Sequence, residues 1–248
     1  MKHLSLRLKL YGLVIALLLL LSLSIVLTAQ WSLGTLQERL SDDTRDTVQG
    51  IVMGQLSATA GQYGELVAGK FEAAYQTPET LRVLISQNIE DDKFGAMSRW
   101  ALQDALRAVL EEQSNISALY AHFEPDAYDG LDEFFKDGAT EHSSDEGTLD
   151  ISYFRDPQGD IEFSRTENPS EKYLGARNEF GDREAEWYLC AMDALQPCLL
   201  EPYDYEIEEG YSELMTSLIV PVLSEGRFAG VVGIDINLTT LQGMVKEV

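Results

Sequence analysis

The 248-residue chain carries 42 Asp and Glu against 18 Lys and Arg, a formal net charge of −24. Such a surface repels nucleic acid and anionic lipid headgroups, which excludes nucleic acid as a partner, and its bulk acidity reads as a solvated surface rather than a site. Phosphate loops, zinc signatures and nucleophile-base constellations are missing, and the three histidines (His3, His122 and His142) are scattered, so no enzyme activity, cofactor or metal is expected.

Residues 10–29 form an uncharged, largely apolar run of the length a helix needs to cross a bilayer. Lys2, Arg7 and Lys9 precede it and the next basic residue is Arg39. The positive-inside bias therefore puts residues 1–9 in the cytoplasm and everything after residue 29 outside a bacterial inner membrane, in the periplasm. A cleaved signal peptide is the competing reading, but its apolar region is ordinarily about 7 to 15 residues long. All 42 acids and all but three of the basic residues follow the run.

From residue 30 to 75 there is no proline, and Leu33, Leu36, Leu40, Val48, Ile51, Val52 and Leu56 recur at three- and four-residue steps. This predicts one long stalk helix, able to pair with a second copy of itself as a homodimer. Thr77-Pro78-Glu79 then supplies a cap, a first-turn proline and a first-turn acid, predicting a second helix toward Asp91. A third helix is predicted from about Ser98, burying Trp100, Ala105, Leu106, Val109 and Leu110.

After Asn115 the pattern turns to strands, over 116–123, 149–155 and 161–165, the last two joined by the turn Asp156-Pro157-Gln158-Gly159. Residues 126–147 read as an exposed acidic loop with helical pieces. Within it Asp126, Asp129 and Asp132 invite a calcium reading, which the missing glycine and terminal glutamate of a twelve-residue loop argue against. A short helix over 182–192 carries Trp187 and Tyr188. Cys190 and Cys198 stand eight positions apart; in an oxidising compartment they close a loop worth about 2–3 kcal/mol, the alternative being two free thiols. The hairpin of 214–223 and 228–236 is almost continuously apolar and should be central in its sheet. Helices first and an antiparallel sheet after make an α+β domain. The aromatic and acidic residues of the last sixty positions fall on that sheet, which suggests a small-molecule pocket outside the membrane.

The segments YAHFEPDAYDGLDEFF, YFRDPQGDIEF, EWYLC, EPYDY and LIVPVLSEGRFAGVVGIDINLTTLQ, in this order after an anchor and a long helix, resemble the extracytoplasmic double Cache (dCache) sensor region of bacterial methyl-accepting chemotaxis proteins. The resemblance implies a membrane-distal, PAS-like ligand-binding module over 76–237 with a central antiparallel sheet. It also implies that 238–248 begins a helix to a membrane-proximal module, followed by a second membrane helix, a HAMP linker and a cytoplasmic signalling part that this chain lacks.

Relatives that bind amino acids surround the ligand with a tyrosine, an arginine, a Trp-Tyr pair, a later tyrosine and a late aspartate. Here Trp187 and Tyr188 match the pair, Tyr203 the later tyrosine and Asp235 the aspartate, with Tyr205 and Glu186 as neighbouring candidates; of Asp204 and Tyr205, which alternate on a strand, only one should face the pocket. The early tyrosine falls on Phe180 and the arginine on Ala185, with Arg183 two positions earlier. An ammonium group is served by a carboxylate and aromatic faces, whereas a ligand carboxylate wants a guanidinium fork. The resemblance therefore implies a small cationic or zwitterionic metabolite, an amine or polyamine before an amino acid, signalling through the stalk to cytoplasmic chemotaxis proteins. The same input domain serves histidine kinases and diguanylate cyclases. A membrane-anchored extracytoplasmic enzyme or adhesion module is the reading from another class.

Overall fold

The computed structural model describes residues 6–90, 97–136, 140–178, 181–208 and 210–239. The first helix, α1 (Leu6–Glu90), contributes to two compact units, Met1–Gly64 and Glu65–Val248. In the first, Leu17–Gln37 is long and apolar enough to cross a membrane. This window overlaps the expected 10–29, and no charged residue interrupts the chain between Lys9 and Glu38. Val48, Ile51, Val52 and Leu56 are exposed in the first unit.

In the second unit α1 continues through Pro78, correcting the expected break at Thr77. An internal proline costs a helix about 3 kcal/mol. The continuation is sustained by a stripe at three- and four-residue steps, in which Ala74, Pro78, Leu81 and Ile85 are buried and Phe71, Tyr75 and Ile89 partly so. Next comes α2 (Arg99–Glu112), where Ser98 caps the helix by accepting the Ala101 amide at 3.2 Å. Its buried face is Arg99, Leu102, Gln103, Leu106 and Leu110. Trp100, expected inside, is 51% exposed, since the one-residue step from Arg99 turns it about 100° off the buried stripe.

The strands are β1 (Ala118–Phe123), β2 (Asp150–Arg155), β3 (Ile161–Phe163), β4 (Cys198–Leu199), β5 (Tyr203–Glu208), β6 (Tyr211–Ser224) and β7 (Arg227–Asn237). They form an antiparallel sheet in the order β3-β2-β1-β7-β6-β4, with β5 also pairing β6. The closing hairpin is thus central, as its apolar run predicts. Its turn, Glu225-Gly226, has φ of 49° and 76°, the pair of positive angles a tight hairpin requires. The Asp156–Gly159 turn also forms, closed by the Gly159 amide on the Asp156 carbonyl at 2.9 Å.

Alternation along the strands separates two faces. Leu119, Ala121, Phe123, Ile151, Leu218, Val220, Val222, Val232, Ile234 and Ile236 face the helices and share one core with Leu81, Ile85, Leu102, Leu106 and Leu110. The opposite face is crossed by α4 (Glu186–Ala194), which begins four residues later than expected. The disulfide Cys190–Cys198 joins α4 to β4.

The stretch after β1 is not the exposed loop its composition suggests. It holds the short helix α3 (Asp132–Phe135) and buries His142, Ser143, Ser144 and Thr148. The cause is Arg99, only 1% exposed. Its guanidinium grips Asp129 through two bonds (2.9 and 2.6 Å), Asp132 at 2.6 Å, the Ser143 hydroxyl at 3.0 Å and the Gly147 carbonyl at 2.6 Å. Two of the three aspartates of the calcium reading are therefore occupied by an arginine.

Candidate functional site

The face of the sheet away from the helix core presents Tyr120 and His122 from β1, Ser152 from β2, Met215 and Ser217 from β6, Gly233 and Asp235 from β7, and Tyr203 and Tyr205 from β5. The register makes Tyr120 the partner of Gly233, and Asp235 the partner of Ser217. A cavity of about 750 Å³ opens over this face, lined by Tyr120, His122, Trp187, Tyr203, Tyr205 and Asp235 among others; that size is typical of small-molecule sites. α4 forms its lid-side wall through Trp187, whose ring meets Tyr120 edge-on at 5.6 Å and His122 at 4.9 Å.

Asp235 sits on the cavity floor, partly open to it. The Ser217 hydroxyl donates to its Oδ1 at 2.6 Å, and the Tyr203 hydroxyl lies 2.8 Å from Ser217 Oγ. Burial pushes the carboxyl up to about 6, against the pull of the Ser217 and Tyr203 hydroxyls. No cation of the chain balances it among the ion pairs of the described residues.

The three cationic side chains in the wall are all engaged by carboxylates of the chain itself. Arg183 holds Glu186 through two bonds (2.6 and 3.1 Å) and Asp193 through a third at 2.7 Å. Lys172 holds Asp150 at 3.2 Å and Arg165 holds Asp145 at 2.6 Å. Asp150 also accepts His122 Nδ1 at 2.9 Å. Burial would raise its carboxyl, but His122 and Lys172 outweigh it and bring it down to about 2.

Trp187, Tyr203, Tyr205, Asp235 and Glu186 thus line one cavity, with Tyr205 at its rim, 47% exposed. Tyr188 does not. Consecutive helix residues point about 100° apart, and Tyr188 turns into the sheet, fully buried among Tyr120, Ala191, Ile219 and Val231, with its hydroxyl donating to Glu124 at 2.6 Å. Glu186 is neutralised by Arg183, whose hydrogen bonds hold its carboxyl below the usual range. Ala185, where an arginine was expected, is a buried cap of α4, and Phe180 lies outside the described residues. Tyr120, His122 and Ser217 escaped the sequence reading. Their signal is cross-strand register, which places Ser217 opposite Asp235 and a large ring opposite a glycine.

That glycine is required. A Cβ on Gly233 would stand 2.2 Å from the Tyr120 ring, so Gly233→Ala must expel Tyr120 from the floor. The substitution is expected to cost about 1–3 kcal/mol in urea unfolding, a loss that Tyr120→Ala in the same chain should largely relieve.

An antiparallel sheet with its helix core on one side and an aromatic, acidic cavity on the other is an arrangement shared with Cache-type sensor domains. No family model matches the chain. It is 34% identical over 142 residues to the methyl-accepting chemotaxis protein TlpQ of Pseudomonas aeruginosa, a match spanning 57% of this chain and 20% of that protein. Among solved structures, methyl-accepting chemotaxis protein X is 27% identical with a TM-score of 0.51, covering 75% of this chain and 60% of that one. The extracellular domain of mmHK1S-Z3, assigned as a histidine kinase, shares the fold at 22% identity and a TM-score of 0.53, covering 72% of this chain and 58% of that one. The chain therefore spans a fifth of its curated relative and about three fifths of these sensor structures. Its α+β fold is that of chemoreceptor and kinase sensor domains.

Proposed function

We propose that the chain is the ligand-sensing region of a transmembrane chemoreceptor and binds a small protonated amine, with a polyamine included in the class. The observation that carries this reading is the imbalance of the cavity wall. Every cation in it is taken up by a carboxylate of the chain, whereas Asp235 has only hydroxyl partners. A ligand ammonium would supply the missing charge, with Trp187, Tyr203 and Tyr205 offering aromatic faces worth about 0.5–2 kcal/mol each. A ligand carboxylate would have to compete with these ion pairs for every cation, the one unpartnered donor among them being the Arg165 Nε–H, which disfavours amino acids.

On this reading residues 1–9 lie in the cytoplasm, the apolar helix in the inner membrane, the stalk over 30–75 and the ligand module over 76–237 in the periplasm, and 238–248 begins a link to a further module. Exposed Val48, Ile51, Val52 and Leu56 support a homodimer through the stalk. Ligand binding acts by its differential affinity for two arrangements of that dimer, read by cytoplasmic chemotaxis proteins. The 34% identity to a chemotaxis protein favours this output over a kinase or cyclase.

Calorimetric titration of the 248-residue chain in lipid nanodiscs tests the reading. 2-Phenylethylamine or 1,4-diaminobutane is expected to bind at least about tenfold more tightly than glycine or 4-aminobutanoate, the margin of one charge-assisted contact. Binding of the two zwitterions alone would reverse it.

A further inference from the structure

Among the described residues lining the cavity, two buried polar atoms lack a hydrogen-bond partner, Arg165 Nε and the Tyr120 hydroxyl, and the second stands beside Asp235. Tyr120 is 7% exposed and lines the cavity, and its hydroxyl is buried without a hydrogen bond of good geometry, the Ser217 hydroxyl being close enough to act on it. Burying a hydroxyl without a partner is costly, and such groups are rare unless something else completes them. Its position is not an accident of packing slack. The ring lies flat on Gly233, so close that a methyl there would overlap the hydroxyl oxygen at 2.3 Å. Trp187 closes against the ring from the other side at 5.6 Å. The hydroxyl is held over β7, one same-face step from Asp235, a spacing of about 7 Å along a strand.

The neighbouring hydroxyls are already committed. Ser217 gives its proton to Asp235, and Tyr203 is bonded to Ser217. Ser217 keeps one lone pair within reach of Tyr120, but a molecule entering the cavity and contacting Asp235 can satisfy the hydroxyl with better geometry. An ammonium nitrogen can give one N–H to the Asp235 carboxylate and a second to the lone pair of Tyr120 once the two side chains lean together across that step to within about 5 Å, the span of two N–H···O bonds on one nitrogen.

We infer that Tyr120 is a ligand-contact residue whose hydroxyl, with Asp235, forms a two-acceptor seat that counts N–H donors and so selects primary amines over N-methylated ones. This rests on the amine reading of the same cavity. The ring supplies an aromatic face with or without the oxygen, so Tyr120→Phe isolates the hydroxyl.

Tyr120→Phe is compared with wild type, both as the full chain in nanodiscs, in thermal unfolding without ligand and in calorimetric titration with 2-phenylethylamine and its N,N-dimethyl derivative. The inference expects an unfolding midpoint equal to or above that of wild type, because an unsatisfied hydroxyl has been removed. It also expects roughly tenfold weaker binding of the primary amine, the size of a hydrogen bond from a charged donor, and a smaller preference for the primary over the dimethylated amine. Unchanged affinity, or an unchanged preference, overturns it. A midpoint lowered by several degrees overturns it as well, because the hydroxyl would then have a partner within the protein. If wild type binds glycine or 4-aminobutanoate but neither amine, the amine reading falls while the same comparison with that ammonium-bearing probe still decides the role of Tyr120. Binding of none of these probes overturns both.

Discussion

Arg99→Met is expected to destabilise the second unit by about 3–5 kcal/mol, the cost of breaking a buried ion pair from one side. The guanidinium is almost wholly enclosed and ties together the start of α2, the loop carrying Asp129, helix α3 through Asp132, and the Ser143 to Gly147 segment. Methionine replaces the aliphatic stem and its packing on Phe135, over whose ring the guanidinium carbon lies at 4.4 Å. It leaves Asp129 and Asp132 facing each other without a cation. Burial already pushes the Asp132 carboxyl upward against its bonds to the Asp126 amide and to Arg99, so loss of the arginine adds to a strain in place. For a unit of this size the change amounts to a fall of about 10 °C in unfolding midpoint. Replacing both aspartates by asparagine in the Arg99→Met background should recover part of it, since the charge and not the volume is at fault. A variant that melts with wild type would show that the loop is held by other contacts.

The same arginine marks the limit of sequence reading for the fold. Alternation and turn chemistry made the central hairpin, the Asp156–Gly159 turn and the helix-then-sheet order legible, because each depends on neighbours a few residues away. Residues 126–147 read as an acidic surface loop because nothing local says that Arg99, thirty positions earlier, will draw their carboxylates inside. Pro78 misled in the opposite sense. Locally Thr77-Pro78-Glu79 is a good helix start, yet the buried stripe from Phe71 to Ile89 carries the helix across it. At the site, Trp187, Tyr203 and Asp235 were legible as residue types. Which of Trp187 and Tyr188 faces the cavity, and that Ser217 and Tyr120 flank Asp235, follow from helix phase and strand register, which no linear motif states.

Asp235→Asn is expected to abolish amine binding while making the unliganded protein more stable at neutral pH. The carboxyl is raised from its ordinary 3.8 to about 6. Between those values the native state keeps a proton that the unfolded chain has lost, so stability falls as pH rises through the window and the loss is complete above about 6. At pH 7 the charged Asp235 therefore costs up to about 3 kcal/mol, and less to the extent that the open cavity lets water reach it. Asparagine keeps the shape and an acceptor for Ser217 without the charge, and should recover most of that cost in urea unfolding at pH 7 while matching wild type near pH 4. The stabilisation that Asp150 supplies, held near 2 by its partners, is lost only as pH falls below its ordinary 3.8 and so does not obscure this window. An ammonium ligand reverses the sign, because it binds the ionised carboxylate. In wild type, amine affinity should weaken about tenfold for each pH unit below 6 as protons compete for the same oxygen. Above pH 6 it should level off, with Asp235→Asn about 100-fold weaker at pH 7, the loss of one charge-assisted hydrogen bond with its Coulomb attraction. Calorimetry at pH 5, 6 and 7 reads all three. Amine affinity independent of pH over that range, or an asparagine variant less stable than wild type at pH 7, would remove Asp235 as the uncompensated charge on which the site is built.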